Sequence, residues 1–296
     1  MQRGLIIENV SNKYIIKTEN KMYNCLARGK LKQDSISPTV GDMVNIEVLN
    51  EETNEAIINE ILERKTYIKR PKISNVSQIM LVISSKHPKP DLLMLDKQLA
   101  YSELMNIKPV IIINKIDLAK KDEILNIEKI YTQIGYNVIK TNAITKVGID
   151  KVKAILEDNI SVFSGNSGVG KSTLINSLFD EKLTEEGNIS LKNKRGKNTT
   201  TSTTLYEIYE DSYIADTPGF STFDIDEIET VNLYKYFKEF KEKVKDCEFV
   251  GCTHIKEKNC EIKKDVEKGT ISKGRYERYC IIYNELKDKE KCKWKK

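Results

Sequence analysis

The fold is decided by the stretch Ile160-Ser161-Val162-Phe163-Ser164-Gly165-Asn166-Ser167-Gly168-Val169-Gly170-Lys171-Ser172. Its first five residues predict a strand, and the rest has the spacing of a phosphate-binding loop that opens a helix. Glycines are required in such a loop because successive backbone N–H groups must turn inward on a phosphate. The predicted nucleotide-binding residues here are Gly165, Asn166, Ser167, Gly168, Val169, Gly170, Lys171, Ser172 and Thr173. A glycine-rich turn without a ligand is the alternative, and the flanking strand and helix disfavour it.

Three residues at the start of that helix have distinct expected roles. Lys171 is the predicted catalytic lysine, because its ammonium would neutralise the β and γ phosphates. The Ser172 hydroxyl is expected to bind Mg²⁺, and Thr173 to lie next to the α phosphate. The positive end of the helix adds to the attraction for phosphate.

A second motif on the phosphate side, Asp216-Thr217-Pro218-Gly219, ends another apolar strand. An aspartate there can hold Mg²⁺ directly or through water, and the Gly219 N–H can contact a γ phosphate. Taken alone, the tetrapeptide is more often an ordinary turn. Its position after a phosphate-binding loop makes it a credible second half of the metal site.

The segment between these two motifs, residues 192–201, is polar and basic and has no periodicity. Such a loop can become ordered around the γ phosphate through a threonine ligand to Mg²⁺. We predict Thr200 as that ligand and as a catalytic residue, with Thr199 as the rival. A flexible surface loop is the alternative.

The base-recognition motif is Asn114-Lys115-Ile116-Asp117, which closes an apolar strand at residues 109–113. This places it at the carboxyl edge of a parallel sheet, where open α/β folds bind ligands. The Asp117 carboxylate can accept N1–H and N2–H₂ of guanine, a pair of donors that adenine lacks, so GTP is expected over ATP. Asn114 would face the other edge of the base, and the Lys115 stem would lie along its plane.

One βα unit after the base motif, Thr141-Asn142-Ala143 offers a backbone contact to the guanine oxygen through Asn142 or Ala143. The order of the motifs is unusual, because the base motif precedes the phosphate loop, whereas in the common G-domain arrangement it comes last. Contacts depend on where strands lie rather than on their order, so a circularly permuted chain can keep the site. The Asp216 loop then leads directly into the C-terminal region, so the nucleotide state could act on that region.

Residues 4–62 contain five short strand-like runs separated by turn formers. The predicted strands are Gly4 to Val10, Tyr14 to Thr18, Met22 to Ala27, Met43 to Leu49 and Glu55 to Leu62. Five short strands predict a small β-barrel, with the OB-fold as first choice and an SH3-like barrel as the alternative. OB-folds often bind nucleic acid, but a packing or docking domain is equally compatible with the pattern.

Beyond Arg64, apolar strands alternate with helical stretches, which predicts a parallel α/β sheet. The predicted strands are Gln78 to Ser84, Pro109 to Asn114, Asn137 to Thr141, Ile160 to Ser164, Leu205 to Tyr209 and Ser212 to Asp216. The predicted helices are Pro90 to Asn106, Lys121 to Ile134, Ile149 to Asp158 and Lys171 to Leu178. After Asp224, helices are predicted at Asn232 to Val244 and at Lys273 to Leu286, followed by a disordered lysine-rich end.

Four potential metal ligands lie within one short segment: Cys247, Cys252, His254 and Cys260. Three thiolates and an imidazole suit tetrahedral Zn²⁺ with no open position, so the predicted role is structural. The metal would supply folding energy to a segment with almost no core of its own. Scattered free cysteines are the alternative, and Cys280 and Cys292 are predicted not to be ligands.

The chain has 296 residues, a formal net charge of +5 and 31% charged residues. This composition is that of a soluble globular protein, and no apolar run is long enough to span a bilayer. Because the N-terminus lacks the features of a signal peptide, a cytoplasmic location without a membrane partner is expected. Lysines and arginines concentrate at 192–197 and 287–296, where an anionic polymer could be bound.

These motifs and their order resemble the RsgA (YjeQ) family of circularly permuted GTPases of small-subunit ribosome biogenesis. Outside the motifs, the resemblance rests on Cys25-Leu26-Ala27-Arg28-Gly29-Lys30, Val40-Gly41-Asp42, Arg70-Pro71, Asp96, Arg275-Tyr276 and Tyr279. It implies an OB-fold domain, a permuted GTPase domain and a mainly helical zinc-binding domain, which we place at 1–65, 66–224 and 225–296. It further implies that the 30S ribosomal subunit, with its 16S rRNA, is the partner in late maturation and stimulates hydrolysis. We expect a monomer.

Two positions bear on the rate of hydrolysis. Phe220 follows Gly219 where Ras-like enzymes carry a water-orienting glutamine. The resembled family usually has a histidine before its threonines, and this chain has Asn198, whose amide can orient water but cannot act as a base near neutral pH. We therefore predict a slow intrinsic GTPase in which Asn198 is the candidate catalytic residue for water. The alternatives are a nucleotide-gated RNA-binding factor with little hydrolysis and an unrelated ATPase.

Overall fold

The computed structural model describes residues 1–29, 37–179, 203–216 and 225–293. Five residues predicted to act near the γ phosphate lie outside these ranges, namely Asn198, Thr199, Thr200, Gly219 and Phe220. Within the described ranges, no helix is long and apolar enough to cross a membrane.

The N-terminal strands form a closed five-stranded barrel. Their bounds are β1 (Gln2–Val10), β2 (Lys13–Lys17), β3 (Met22–Ala27), β4 (Met43–Asn50) and β5 (Glu55–Ile61). They are hydrogen-bonded in the order β1-β2-β3-β5-β4, and pairing of β1 with β4 closes the ring. Residue alternation fixes which side of each strand faces the core, as in β3, where Tyr23 and Cys25 are buried and Asn24 between them is exposed. The structure thus confirms the predicted OB-like barrel.

A buried ion pair and a required glycine join the barrel to the next segment. The Asp42 carboxylate is fully buried and accepts hydrogen bonds from Arg64 Nε and Nη2, both at 2.7 Å. Gly41 has a φ of +91°, and a β-carbon there would lie 2.0 Å from the Ser74 carbonyl oxygen. Only glycine allows this approach to the hairpin of β6 (Tyr67–Lys69) and β7 (Lys72–Ser74), which the sequence patterns did not predict.

The central part is the predicted α/β sheet, with helices on both faces. Its strands are β8 (Gln78–Ser84), β9 (Lys108–Asn114), β10 (Asn137–Lys140), β11 (Ile160–Ser164), β12 (Thr204–Tyr209) and β13 (Ser212–Asp216). Its helices are α1 (Leu92–Leu104), α2 (Lys121–Gln133), α3 (Ile149–Leu156) and α4 (Lys171–Leu178). The order is β10-β9-β8-β11-β13-β12, parallel except for β12. The carboxyl ends of β8, β9, β11 and β13 therefore meet at one edge.

The barrel and the α/β sheet are continuous through a strand pair that the sequence did not predict. β1 pairs antiparallel with β12, with Glu8 opposite Thr204, so all eleven strands form one sheet. A salt bridge between Lys17 on β2 and Glu207 on β12 reinforces the junction. The strand that follows the 192–201 segment is therefore attached directly to the barrel.

The C-terminal part is mainly helical, as predicted, but its first helix is broken. A 3₁₀ helix covers Thr230–Tyr236, a short α5 covers Lys238–Lys241, and a second 3₁₀ turn covers Val244–Asp246. The prediction of one helix from Asn232 to Val244 was wrong, because Phe237 has an extended backbone with φ of −109°. Its ring and that of Phe240 pack 5.0 and 4.8 Å from the ring of Tyr279. Tertiary packing of the aromatic rings has replaced the regular helix that the apolar period alone predicts.

The last helices are α6 (Glu261–Glu267) and α7 (Lys273–Lys293). The prediction that α7 ends at Leu286 was wrong, since the helix continues to Lys293, and the end predicted to be disordered lies outside the described residues only at 294–296. Contacts with the preceding segment hold this extension: Glu290 accepts the Thr230 N–H at 2.8 Å, and Lys289 pairs with Asp226. These partners lie about sixty residues away, so the local charge pattern does not reveal them.

A buried ionic network joins the C-terminal part to the α/β sheet. Asp96 on α1 is fully buried and accepts hydrogen bonds from Arg275 and Arg278 on α7 and from the Tyr131 hydroxyl on α2. Arg275 is 1% exposed and also pairs with Glu239. Burial alone would lower the pKa of Arg275, but Asp96 and Glu239 outweigh it and raise the pKa well above its ordinary value.

Replacing Arg275 with alanine should lower the free energy of unfolding by about 3–5 kcal/mol, because the buried Asp96 charge loses one of its partners. Urea unfolding of the variant and the wild type measures this difference. Lys245→Ala is the control, since it removes an exposed ion pair with Glu242 and should leave the unfolding curve nearly unchanged. Similar midpoints for both variants would mean that the network contributes little.

Candidate functional site

The phosphate loop, Gly165 to Gly170, connects β11 to α4 at the carboxyl edge of the sheet. Gly165 has a φ of +148°, and a β-carbon there would lie 2.1 Å from the Val82 carbonyl oxygen on β8. Any side chain at this position would push the start of the loop away from the sheet. On the open side of the loop, the exposed residues include Ser167, Gly168, Ser172 and Thr173.

The predicted catalytic lysine lies inside the loop. Lys171 Nζ donates hydrogen bonds to the carbonyl oxygens of Gly165 and, at 3.1 Å, of Asn166. Burial lowers the pKa of Lys171 from its ordinary value. An ammonium held by backbone carbonyls in this way can exchange them for the more strongly charged oxygens of a phosphate.

The base motif contacts the phosphate loop directly. Asn114, which ends β9 and is 2% exposed, donates from Nδ2 to the Val169 carbonyl oxygen at 3.0 Å. Its Oδ1 accepts from the Thr141 hydroxyl at 3.0 Å, so both ends of the amide are fixed. Two segments that are distant in the sequence and reversed in order therefore meet at one edge of the sheet.

Lys115 makes a second bridge between the two motifs. Its backbone has a φ of +58°, and its Nζ donates to the Gly168 carbonyl oxygen at 2.6 Å and to the His87 carbonyl oxygen at 2.7 Å. The Lys115 stem thus crosses from the base motif to the phosphate loop. The contribution of His87 was missed in the sequence, because a backbone carbonyl leaves no signal in the residue type.

Asp117, the last residue of the base motif, is exposed, and its carboxylate is oriented by Asn142. Asn142 Nδ2 donates to Asp117 Oδ1 at 2.9 Å, while Asn142 Oδ1 accepts from the N–H groups of Ile144 and Thr145. The amide orientation of Asn142 is therefore fixed by its own turn. Asp117 Oδ2 takes no part in the hydrogen bond with Asn142.

The backbone donors of Thr141-Asn142-Ala143 are also engaged. The Asn142 N–H donates to the Val147 carbonyl oxygen at 3.0 Å, whereas the Ala143 N–H makes a longer 3.3 Å hydrogen bond to Asn114 Oδ1. Because the longer bond is the weaker one, Ala143 is the better candidate for a contact to a base oxygen.

Asp216 ends β13, the strand next to β11. The register pairs Val162 with Ala215, so Asp216 lies at the same sheet edge as the start of the phosphate loop. The rest of this motif, 217–219, is outside the described residues. Together these segments place the Asn114 amide, the Lys171 ammonium, the Ser172 hydroxyl at the start of α4 and the carboxylates of Asp117 and Asp216 along one edge of the sheet.

The cysteine and histidine segment forms a second, separate cluster. The ligand atoms of Cys247, Cys252, His254 and Cys260 all lie within 4.8 Å of one another. His254 Nδ1 is 3.7 Å from Cys247 Sγ and 3.3 Å from Cys260 Sγ. Metal–sulfur and metal–nitrogen bonds of about 2.3 and 2.0 Å in a tetrahedron give ligand separations of this size. The donor set and its spacing therefore fit one metal ion without an open position.

The surroundings of this cluster hold its geometry. The Glu257 carboxylate accepts hydrogen bonds from the backbone of Thr253 and Ile255, and these lower its pKa to about 2 although burial alone would raise it. The hydroxyls of Tyr276 and Tyr279 donate to the carbonyl oxygens of His254 and Thr253 at 2.8 and 2.9 Å. The ligand segment is thus attached to α7.

Burial affects the protonation of the imidazole and of the thiols in different ways. Burial lowers the pKa of His254 to about 4, which keeps its imidazole neutral and able to ligate. Burial raises the pKa of the Cys252 thiol to about 12, and that of Cys260 rises for the same reason. A bound cation would have to stabilise the thiolates, so metal binding would release protons.

Comparison with known proteins gives the same family over the two N-terminal parts of the chain. Residues 3–58 match the model of the RsgA N-terminal domain, and residues 61–226 match that of the RsgA GTPase. Two relatives called small ribosomal subunit biogenesis GTPase RsgA illustrate the similarity. The one from Caldanaerobacter subterraneus subsp. tengcongensis is 38% identical over 293 residues, covering 99% of this chain and 98% of the relative. The one from Clostridium beijerinckii is 41% identical over 292 residues, covering 98% and 99%.

Two solved structures share the whole architecture. YjeQ from Thermotoga maritima superimposes with a TM-score of 0.84 at 34% identity, covering 96% of this chain and 98% of that protein. YloQ, described as a circularly permuted GTPase, gives a TM-score of 0.82 at 33% identity, covering 98% and 96%. The likeness extends through the C-terminal part, which the two family models do not include.

Proposed function

This chain belongs to the RsgA GTPase family, and from that premise we propose that it hydrolyses GTP between the base motif and the phosphate loop to assist maturation of the small ribosomal subunit. The contact of Asn114 with Val169 and of Lys115 with Gly168 is the observation that carries this proposal. It brings a guanine-type base motif and a phosphate loop within the span of one nucleotide. The relatives named small ribosomal subunit biogenesis GTPase supply the biological context.

Each residue of the site has a role that its contacts support. Asp117 would accept the two guanine donors, while Asn142 holds its carboxylate in place. Lys171 would leave the carbonyl oxygens of the loop for the β and γ phosphates, and backbone N–H groups of the loop would hold the same oxygens. Ser172, Asp216 and Thr200 would hold Mg²⁺, which supplies charge neutralisation on the phosphates when bound.

We assign the cysteine and histidine cluster to one structural Zn²⁺. Three thiolates and one imidazole form the ligand set that zinc prefers, and all four atoms lie close enough for a closed tetrahedral site. A closed site has no position for a substrate, so its role is to stabilise the fold of the C-terminal part. The same ligands exclude Mg²⁺, which prefers oxygen.

The partner in this proposal is the 30S subunit, contacted through its 16S rRNA. The protein would act as a cytoplasmic monomer with three domains, at 1–65, 66–224 and 225–296. Phe220 and Asn198 favour slow intrinsic hydrolysis, because neither offers a general base for water. Ordering of Asn198 and Thr200 by the subunit would raise the rate. The basic segments at 192–197 and 287–296 suit contact with an RNA backbone.

GTP turnover with and without purified 30S subunits tests this function. We expect slow release of phosphate by the free protein and a rate at least about tenfold higher with subunits, an enhancement that falls as salt rises. Lys171→Ala is the control for contaminating hydrolases. Equal rates with and without subunits would reject the activation.

A second candidate is a nucleotide-gated RNA-binding factor with little hydrolysis of its own. The same two residues, Phe220 and Asn198, favour it, because the chain lacks an evident group to activate water. Binding to 30S subunits with a non-hydrolysable GTP analogue, with GTP and with GDP separates the two. If GTP and the analogue give the same residence time on the subunit, hydrolysis is not what releases the protein.

A further inference from the structure

Helix α1 passes beneath the phosphate loop and contacts its entry from the core side. Gln98, in the middle of α1, is 1% exposed and donates from Nε2 to Ser164 Oγ at 3.0 Å. Ser164 is itself fully buried and is the last residue of β11 before Gly165. The loop therefore begins at a residue that is hydrogen-bonded to α1.

Burying the amide of Gln98 costs free energy, so a contact that the amide makes must compensate for this cost. Its neighbours along the buried side of the helix, Leu95 and Leu99, are both fully buried and apolar. Methionine at position 98 would fill a similar volume without a polar group to desolvate. What the amide adds is a directional contact with Ser164, and such contacts fix one arrangement of a core.

The N-cap residue of the same helix contacts the other side of Gly165. Asp91 accepts the Met94 N–H at Oδ1, which caps α1, and accepts Asn166 Nδ2 at Oδ2 at 3.1 Å. Asn166 directly follows Gly165 in the loop. Gln98 and Asp91 thus hold the residues on either side of the glycine whose backbone must stay against β8.

The helix that carries these two side chains is itself fixed. Asp96, between them in the sequence, is fully buried and paired with Arg275 and Arg278 of α7. Because these ion pairs anchor α1, the helix can hold the loop that it contacts in a fixed position.

We propose that Gln98 and Asp91 are positioning residues for nucleotide binding, which hold the entry of the phosphate loop in the conformation that accepts GTP and GDP. This inference rests on the proposed nucleotide site. Neither side chain needs to touch the nucleotide, since each acts through Ser164 or Asn166. The position of Gly165 and Asn166 also matters for Lys171, because the Lys171 ammonium donates hydrogen bonds to the carbonyl oxygens of these two residues.

The chain contains a matched control for Gln98. Gln78 is also fully buried and donates from Nε2 to Ser161 Oγ at 2.9 Å and to the Ile155 carbonyl oxygen at 2.8 Å, at the opposite end of β11 from the loop. Gln98→Met and Gln78→Met each remove one buried amide contact to a serine of the same strand. Because Gln78→Met also removes the hydrogen bond to Ile155, it should lower stability at least as much as Gln98→Met, and only Gln98→Met should affect the nucleotide.

Titration with fluorescent GTP and GDP analogues measures the effect on the intact chain. We expect Gln98→Met to raise the dissociation constants of both nucleotides about threefold to tenfold, the value of one hydrogen bond. The dissociation constants of Gln78→Met should stay within about twofold of the wild type, although its melting temperature should fall at least as far as that of Gln98→Met. Equal losses in both variants, or none in Gln98→Met, would overturn the role of Gln98.

Asp91 is tested by a pair of variants that both keep the helix cap. Asp91→Asn caps the helix through Oδ1 but turns an NH₂ group towards the Asn166 Nδ2 donor, whereas Asp91→Ser caps the helix but is too short to reach Asn166. We expect both variants to weaken nucleotide binding by about threefold, and wild-type affinity in both would overturn the role of Asp91. A wild type that binds no guanine nucleotide would instead reject the proposed function itself, so the two failures are distinguishable.

Discussion

Replacing Asp117 with asparagine is expected to weaken GTP binding about 100-fold, the largest effect of any single change at the base site. The carboxylate would accept both guanine donors, whereas an amide accepts one and presents a donor of its own to the second. Asn142 fixes the outcome further, because its Nδ2 donates to Oδ1 and so turns the new amide nitrogen towards the base.

Xanthosine triphosphate is the nucleotide for which the variant is expected to gain affinity. Its base carries an oxygen where guanine has the N2 amino group, so the amide nitrogen at position 117 gains an acceptor. We expect the variant to prefer xanthosine triphosphate to GTP, measured by competition against a fluorescent analogue. Asp122→Asn, which removes an exposed carboxylate from the first turn of α2, is the control and should leave both affinities unchanged. Unaltered GTP affinity in Asp117→Asn would mean that this residue does not read the base.

Loss of the metal is expected to cause the largest loss of stability. Structural zinc in small peptides contributes about 10–16 kcal/mol near neutral pH, and the segment from Cys247 to Cys260 contains no helix and no strand of its own. We expect one equivalent of zinc in the purified protein, and Cys260→Ser to lose it and to lower the melting temperature of the C-terminal part. Inductively coupled plasma mass spectrometry and thermal unfolding measure the two results.

Cys280→Ser is the matched control for Cys260→Ser. Cys280 lies on α7, half-buried and outside the four-residue cluster, so its substitution should keep the metal. Metal loss from both variants would show that the ligand set is different from the one assigned here.

The affinity for zinc should also fall as the pH falls. Burial raises the pKa of the Cys252 thiol to about 12, so protons compete with the metal for the sulfur at every pH near neutrality. His254, with a pKa of about 4, stays neutral over the same range and should contribute little to the slope. Competition with a zinc chelator at several pH values measures this dependence, and an affinity independent of pH would argue against thiolate ligands.

Short segments of the chain were enough to predict the local chemistry of this protein. The phosphate loop was predictable because its glycines and Lys171 are demanded by backbone geometry within eight residues. The metal cluster was predictable for a similar reason, since its four ligands lie within fourteen residues. The barrel and the α/β sheet followed from residue alternation and from the change of period near Arg64, and the structure confirms both.

Which of these segments lie in contact is visible only in the folded chain. The approach of Asn114 to Val169, the pairing of β1 with β12, and the contacts of Asp96 with α7 join residues that lie far apart in the chain. The break at Phe237 and the contact of Gln98 with Ser164 have the same origin. A residue type records which bonds a side chain can make, but the partner is chosen by packing of the whole core, and that choice leaves no trace in a short stretch of sequence.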